Sequence, residues 1–247
     1  MLSVDRVDKS YRKGGLFSKE RKQVLHDIHF EWKLGECLGV IGESGSGKST
    51  LGRLLLGIEK PDRGTILFNG ISVEHRKRRA GNISAVFQDY TSSLNPFHNV
   101  EKALLEPLQI QSKGNSDIDR KIDLLLTQVG LDSSYRYKYP HELSGGEAQR
   151  VCIARAVATQ PRCIVLDEAI SSLDGSVQFQ VLELLKHVKT MYGMGYIFIT
   201  HDIQAAAYLC DRVMFLRNGR VEEIVSVERL KDVQSSYARN LLRKIMT

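Results

Sequence analysis

The stretch Gly42-Glu43-Ser44-Gly45-Ser46-Gly47-Lys48-Ser49-Thr50 fits the pattern G-x-x-x-x-G-K-[ST] without a mismatch. Its chemistry is anion binding. Glycines remove the Cβ atoms that would keep a backbone from wrapping around phosphate oxygens. Successive amide N–H groups then point inward, and the N-terminus of a following helix adds partial positive charge. Lys48 is expected to reach the β- and γ-phosphates of a nucleoside triphosphate, and the Ser49 hydroxyl to ligate Mg²⁺. Asp167 and Glu168 follow the apolar run 163–166. Asp167 suits a water-mediated hold on Mg²⁺ and Glu168 suits polarisation of an attacking water, whereas the plain alternative is two surface acids at a strand end. His201, in Thr200-His201-Asp202, ends another apolar run and could contact a γ-phosphate or hold catalytic geometry; a lone histidine is more often structural. Gln88 closes a strand, where its amide could touch Mg²⁺ or water or be an ordinary polar end. Leu143-Ser144-Gly145-Gly146-Glu147 opens a helix. Ser144 and Glu147 make a capping box, S-x-x-E, and the same glycines could form a second anion site. A chain that already has one phosphate loop would turn such a site towards nucleotide held by another chain.

Elements of a recognisable kind must position these residues. Residues 37–41 have the composition of a short buried strand, residues 51–56 that of a helix, and Gly57 can stop it. Residues 24–30 alternate loosely as a half-buried strand does. Residues 65–68 and 71–73 flank Asn69-Gly70 and predict a hairpin with a type I′ turn; residues 213–216 and 221 onward flank Asn218-Gly219 as a second hairpin. Further strands are expected at 83–87, 163–167 and 196–200. Helical patterns cover 101–109, 117–129, 144–159 and a stretch ending near residue 189, and the tail over 227–247 is helical and basic. Residues 2–11 are too irregular to assign, residues 12–23 have the composition of a basic exposed loop, and a polar run over 111–117 separates two helices.

The 247 residues suffice for one large α/β domain with an inserted subdomain. The formal net charge is +6, but the basic residues are scattered, with small clusters at 19–22 and 76–79. That distribution describes a solvated mixed-charge surface rather than a nucleic-acid footprint. Cys37, Cys152, Cys163 and Cys210 have no C-x-x-C spacing and are expected to be buried reduced thiols. No apolar run approaches the roughly 18 residues of a membrane span, and residues 1–9 lack the apolar core of a signal peptide. The expectation is a soluble cytoplasmic protein, or one that is peripheral through a partner.

The ordered set GESGSGKST at 42–50, VFQD at 86–89, LSGGE at 143–147, CIVLDE at 163–168, SSLD at 171–174 and THD at 200–202 resembles the nucleotide-binding subunit of ABC transporters, with the likeness running from Tyr11 to Leu242. The resemblance implies one ABC ATPase domain over 1–247, of α/β class. Residues 1–88 and 162–247 would form an antiparallel β subdomain plus a RecA-like core of the P-loop NTPase kind, and residues 89–161 a helical signature subdomain. It implies ATP and Mg²⁺ as ligands, with Ser49, Gln88 and Asp167 towards the metal. Glu168 takes the position of the catalytic base, beside His201 and Lys48. Tyr11 matches the aromatic that stacks on adenine, a contact worth roughly 1–3 kcal/mol. The expected partner is a second ABC ATPase subunit, a related but non-identical chain, arranged head to tail so that Ser144, Gly145, Gly146, Glu147 and Asp174 meet its nucleotide. Two membrane permeases and an extracytoplasmic solute-binding protein complete the implied assembly on the cytoplasmic face of the membrane, with no nucleic acid.

Val86-Phe87-Gln88-Asp89 followed by Ser92-Ser93-Leu94-Asn95-Pro96, and the basic insertion at 12–23, resemble importers of the oligopeptide, dipeptide and nickel class. The segments 167–174 and 150–155 are closer to its nickel and metal-chelate branch, and the chain ends near Ser236–Leu242, where peptide-class subunits begin a C-terminal extension. The implied cargo is therefore nickel, cobalt or a metal–metallophore complex, with peptides as the alternative. A soluble ABC ATPase acting on nucleic acid or ribosomes is a more distant reading, since such relatives carry tandem domains or long coiled coils. Two residues depart from the family pattern. Glu147 replaces the glutamine of LSGGQ and adds negative charge near a γ-phosphate, unless the capping box holds it back. Ile170 replaces a common threonine, which nothing in the sequence explains.

Overall fold

The computed structural model describes residues 1–13, 20–89, 93–111 and 117–246. They divide into two compact units: Met1–Ala80 with Gly195–Thr247, and Gly81–Met194.

In the first unit, β1 (Leu2–Arg12) pairs antiparallel with β2 (Arg21–Trp32) and β4 (Arg63–Phe68), and β5 (Ile71–Ser72) closes a sheet of order β2-β1-β4-β5. The irregular pattern of residues 2–11 has a physical cause. The buried positions step Leu2, Val4, Val7, and the pairing register shifts between Val4 and Val7, where Arg6 takes φ 47°. A bulge adds one residue and breaks the period of two. In β2 the buried positions likewise step from Leu25 to Ile28, past Asp27 at φ 50°. The exposed loop expected over 12–23 is shorter at both ends, because Arg12 and Arg21 are register partners. Its centre, 14–19, lies outside the described residues, as do Ser92 of the SSLNP stretch and 112–116 of the polar run. Asn69 and Gly70 have φ 49° and 77°, the two positive values a type I′ turn needs.

The same unit carries the strand order β10-β9-β3-β8, built from β3 (Cys37–Ile41), β8 (Gly195–Thr200), β9 (Arg212–Arg217) and β10 (Arg220–Ser226). β3 runs parallel to both β8 and β9. Every residue of β3 and β8 is buried, which is why both appear in the sequence as unbroken apolar runs. Helix α1 (Lys48–Leu55) follows β3 and stops in a Schellman arrangement: Gly57 takes φ 55°, its N–H donates to the Leu54 carbonyl, and Ile58 N–H donates to the Arg53 carbonyl. A single turn, α2 (Arg76–Arg79), completes the first stretch of this unit. Helices α7 (Ile203–Leu209) and α8 (Ser236–Met246) follow β8 and β10.

In the second unit, β6 (Ile83–Phe87) and β7 (Cys163–Asp167) pair in parallel, with helices α3 (Val100–Gln111), α4 (Ile118–Gln128), α5 (Gly145–Val157) and α6 (Gly175–Tyr192). Arg136 ties this unit together through its ion pairs with Glu101 on α3 and with Asp119 and Asp123 on α4. All four cysteines are buried reduced thiols; burial pushes the Cys152 thiol up to about 11.

Trp32, the only tryptophan, is fully buried and donates its Nε1–H to the carbonyls of Glu36 (2.9 Å) and Tyr196 (3.1 Å). A Cβ at Gly195 would collide with the Glu36 carbonyl and stand 2.5 Å from Trp32 Cζ2. Gly195→Ala is therefore expected to lower unfolding free energy by about 1–3 kcal/mol through overpacking, read from urea denaturation followed by Trp32 fluorescence. An unchanged midpoint would show that β8 yields there without cost.

Candidate functional site

The loop between β3 and α1 is shaped by close approach. A Cβ on Gly42 would run into the Leu216 carbonyl of β9 and stand 2.6 Å from Ser46 Oγ. Gly47 has φ 106°, and a Cβ there would stand 2.7 Å from Leu25 Cδ2. Both positions therefore require glycine, one for space and one also for backbone conformation. Lys48 is 7% exposed, and its Nζ donates to the carbonyls of Gly42 (2.8 Å) and Glu43 (3.2 Å). Ser46 Oγ is buried without a hydrogen-bond partner among the described residues. A cradle that admits no Cβ, a buried ammonium and an orphaned hydroxyl fit the phosphate oxygens of a nucleotide.

The register of the parallel strands brings His201 to the same edge. Ile41 of β3 and Thr200 of β8 are partners, so Gly42 and His201 leave adjacent strands side by side. His201 is exposed. Its turn is held on the far side by Asp202, whose N–H donates to Thr200 Oγ1 (3.0 Å) and whose carboxylate caps α7 at Ala205 N (3.0 Å).

Tyr11, near the end of β1, is half-buried and belongs to a network absent from the sequence reading. Its hydroxyl donates to Glu59 Oε2 (2.5 Å), and Glu59 Oε1 accepts from Arg53 Nε on α1 (2.6 Å). Arg53 also donates to Thr50 Oγ1 (3.3 Å), and Lys9 Nζ lies 5.4 Å from the centre of the Tyr11 ring. The aromatic is thus fastened to the helix that carries Lys48 and Ser49. Burial works against the Glu59 charge, but the bonds from Tyr11 and Arg53 outweigh it and keep the carboxyl below its usual range.

In the second unit, Phe87 and Asp167 are register partners, so Gln88 and Glu168 extend beyond one edge of the β6–β7 pair. Gln88 is exposed, and Asp167 and Glu168 are half-buried. Glu168 has φ 52°, a left-handed conformation that a non-glycine residue adopts at a cost of order 1 kcal/mol or more. Ser171 holds it there, donating both its N–H (3.2 Å) and its hydroxyl (2.9 Å) to the Glu168 carbonyl.

Ser144, Gly145, Gly146 and Glu147 share with Asp174 the lining of one open cavity of ≈ 400 Å³. Asp174 is the exposed N-cap of α6. The capping box is formed in both directions: Ser144 Oγ accepts from Glu147 N (3.3 Å) and Glu147 Oε2 accepts from Ser144 N (2.7 Å). Glu147 Oε1 accepts a hydrogen bond from the Tyr135 hydroxyl, and Lys138 Nζ lies 3.7 Å from the centre of the Tyr135 ring. The Tyr135 hydroxyl and the Ser144 N–H hold the Glu147 carboxyl below its usual range. The carboxylate is held back at both oxygens. Tyr135, Glu59 and Arg53 escaped sequence reading because each acts through partners 6 to 48 residues away with no periodic signal.

A carboxyl lowered in the folded state contributes stability that is present above the ordinary carboxylate range and lost as pH falls through its folded-state value. Tyr135→Phe removes the largest cause of the lowering, so the difference in urea midpoint between pH 7 and pH 3.5 should shrink in that variant. An equal or larger difference would exclude this role for Tyr135.

Residues 25–171 match the family model described as ABC transporter. The chain is 46% identical over 245 residues to the metal-staphylopine import system ATP-binding protein CntF of Staphylococcus aureus strain Mu50, covering 99% of this chain and 98% of that one. It is 40% identical over 253 residues to the nickel import ATP-binding protein NikE of Rhodospirillum rubrum, covering 100% and 91%. The dimeric post-hydrolysis structure of the ATP-binding cassette MJ0796 bound to ADP and Pi superimposes with a TM-score of 0.82 at 28% identity, over 92% of this chain and 99% of that one. With the anion cradle of residues 42–50 already in place, these likenesses make this chain a member of the ABC transporter family, one of its ATP-binding, ATP-hydrolysing proteins.

Proposed function

We propose that this protein energises a membrane importer for nickel, cobalt or a metal–metallophore complex. The observation that carries the cargo class is the end-to-end 46% identity to a metal-staphylopine import protein, ahead of the nickel import protein at 40%. On this reading the whole of 1–247 acts as one ABC ATPase domain, with 89–161 as its helical signature subdomain.

The roles of individual residues are assigned on their chemistry. Lys48 supplies positive charge to the β- and γ-phosphates, and Gly42, Glu43, Ser44, Gly45, Ser46, Gly47, Ser49 and Thr50 complete the cradle. Ser49, Gln88 and Asp167 offer only oxygen donors, the set a hard divalent cation prefers, and so suit Mg²⁺. Mg²⁺ held by such donors would supply charge that offsets that of the phosphates. Glu168 accepts a proton from the attacking water, and His201 contacts the γ-phosphate. Tyr11 offers its ring to adenine. Ser144 to Glu147 and Asp174 serve nucleotide held by a second, related ATPase subunit, a reading supported by the dimeric state of the superimposing cassette.

The importer would contain two permeases, supplied in turn by an extracytoplasmic binding protein. Among the described residues no helix is long and apolar enough to cross a membrane, which supports a peripheral position on the cytoplasmic face. Phe97 (84% exposed) and Tyr137 (69% exposed) border a hollow with Pro96 and Tyr139. That apolar patch is a seat for a protein partner, and Gln88, on the same unit, is the joint that would pass on the nucleotide state.

Cells lacking this subunit are expected to lose uptake of labelled nickel or cobalt, supplied with or without a secreted chelator, and to keep uptake of a labelled dipeptide. Wild type should restore metal uptake and Glu168→Gln should not. Loss of dipeptide uptake alone would assign the chain to peptide import. In the purified protein, Glu168→Gln should retain ATP and lower turnover by roughly 10²–10⁴-fold, the usual worth of a general base; near-normal hydrolysis would remove Glu168 from that role.

A further inference from the structure

The phosphate loop is fastened to an element that no part of the nucleotide chemistry requires. Tyr237, in the first turn of α8, accepts a hydrogen bond at its hydroxyl from the Glu43 N–H (3.0 Å), across 194 residues of sequence. The Glu43 peptide is held on its other side as well. Its carbonyl accepts from Lys48 Nζ (3.2 Å) and from Ser46 N (3.1 Å). The Ser46 carbonyl in turn accepts from the Gly219 N–H at the β9–β10 turn (2.9 Å). One residue of the loop therefore stands between the C-terminal helix and the Lys48 ammonium.

Tyr237 is itself fixed. It is 7% exposed, its neighbour Ala238 is fully buried, and the Arg217 guanidinium of β9 lies 5.0 Å from the centre of its ring. The start of α8 is pinned by Glu223 of β10, whose carboxylate accepts from Gln234 N (3.0 Å) and Ser235 N (2.9 Å). Burial pushes the Tyr237 phenol up, so it remains a neutral hydrogen-bonding group throughout the working pH range. Nothing in this set follows from a helix merely covering a sheet. A buried phenylalanine would cover it equally well, whereas only a hydroxyl can hold the Glu43 amide.

We propose that Tyr237 is a positioning residue of the phosphate loop, holding the Glu43 peptide in the shape that lets the loop and Lys48 receive a triphosphate. The proposal rests on the reading of 42–50 as the phosphate loop. It makes docking of the C-terminal helix and nucleotide affinity two sides of one equilibrium. Whatever lifts α8 weakens nucleotide binding, and bound nucleotide tightens α8 by the same factor.

The test uses the full chain and a fluorescent N-methylanthraniloyl ATP. Tyr237→Phe keeps the ring and its packing and removes one hydrogen bond, so affinity should fall about 2- to 10-fold. Amide exchange over residues 42–47, measured without nucleotide, should quicken in the same variant, while exchange within β8 stays as in wild type. Glu223→Gln, which loosens the start of α8 but leaves Tyr237 in place, should move both readouts in the same direction and by less. Unchanged affinity and unchanged exchange over 42–47 would overturn the proposal. So would weaker binding together with faster exchange throughout the first unit, which is the mark of general destabilisation. Lys48→Ala run in parallel separates the two levels. If it loses nucleotide while Tyr237→Phe does not, only the role of Tyr237 fails. If Lys48→Ala binds normally, the phosphate-loop assignment fails and the proposal with it.

Discussion

A backbone that closes around an anion has to turn its own amides inward and keep every side chain out. That constraint governs the first unit. It explains why Gly42 presses against the Leu216 carbonyl and why Gly47 adopts φ 106° against Leu25. It explains why the loop borrows partners from distant parts of the chain, through the Gly219 amide and the Tyr237 hydroxyl. Lys48 completes the arrangement by lying on the loop's own carbonyls, so its ammonium is buried but not unpaired. The parallel strands β3 and β8 then deliver His201 to the side of the same loop through the partnership of Ile41 with Thr200.

The second unit handles a different electrostatic difficulty. An acid at position 147 stands in the first turn of α5, at a helix start suited to an anion. Here the acid is occupied locally. Its two oxygens accept from Ser144 N and from the Tyr135 hydroxyl, and Lys138 sits over the tyrosine ring. Negative charge at a helix N-terminus is favourable in itself, so Glu147 strengthens the helix start while its charge is balanced locally. Glu168, the residue proposed as the base, keeps a left-handed backbone, and Ser171 supplies the bonds that hold it.

Much of this was legible from residues alone, and the reasons are local. Buried parallel strands are unbroken apolar runs, and Asn-Gly pairs demand two positive φ values, found at Asn69-Gly70 and again at Asn218-Gly219. A capping box is written within four residues, so Ser144 and Glu147 could be paired on paper. What escaped was either irregular or remote. The bulge at Arg6 hid β1 by moving Val7 out of step with Leu2 and Val4. Ion pairs and hydrogen bonds such as Tyr11 to Glu59, or Glu43 to Tyr237, join residues whose separation carries no period. Propensity and pattern describe how a segment folds, and these contacts depend on where another segment ends up.

If Tyr11 offers its ring to the base, as proposed, its bond to Glu59 also bears on selectivity among nucleobases. A tyrosine with a free hydroxyl can tell one base edge from another by giving its proton to a matching acceptor. Here the hydroxyl already donates to Glu59, and Arg53 approaches the Tyr11 oxygen at 3.4 Å. What the side chain still has to offer is its flat face, and a flat face stacks on any purine. A guanine would therefore find at this residue nearly the same surface as an adenine, and any preference between the two has to be built elsewhere in the protein.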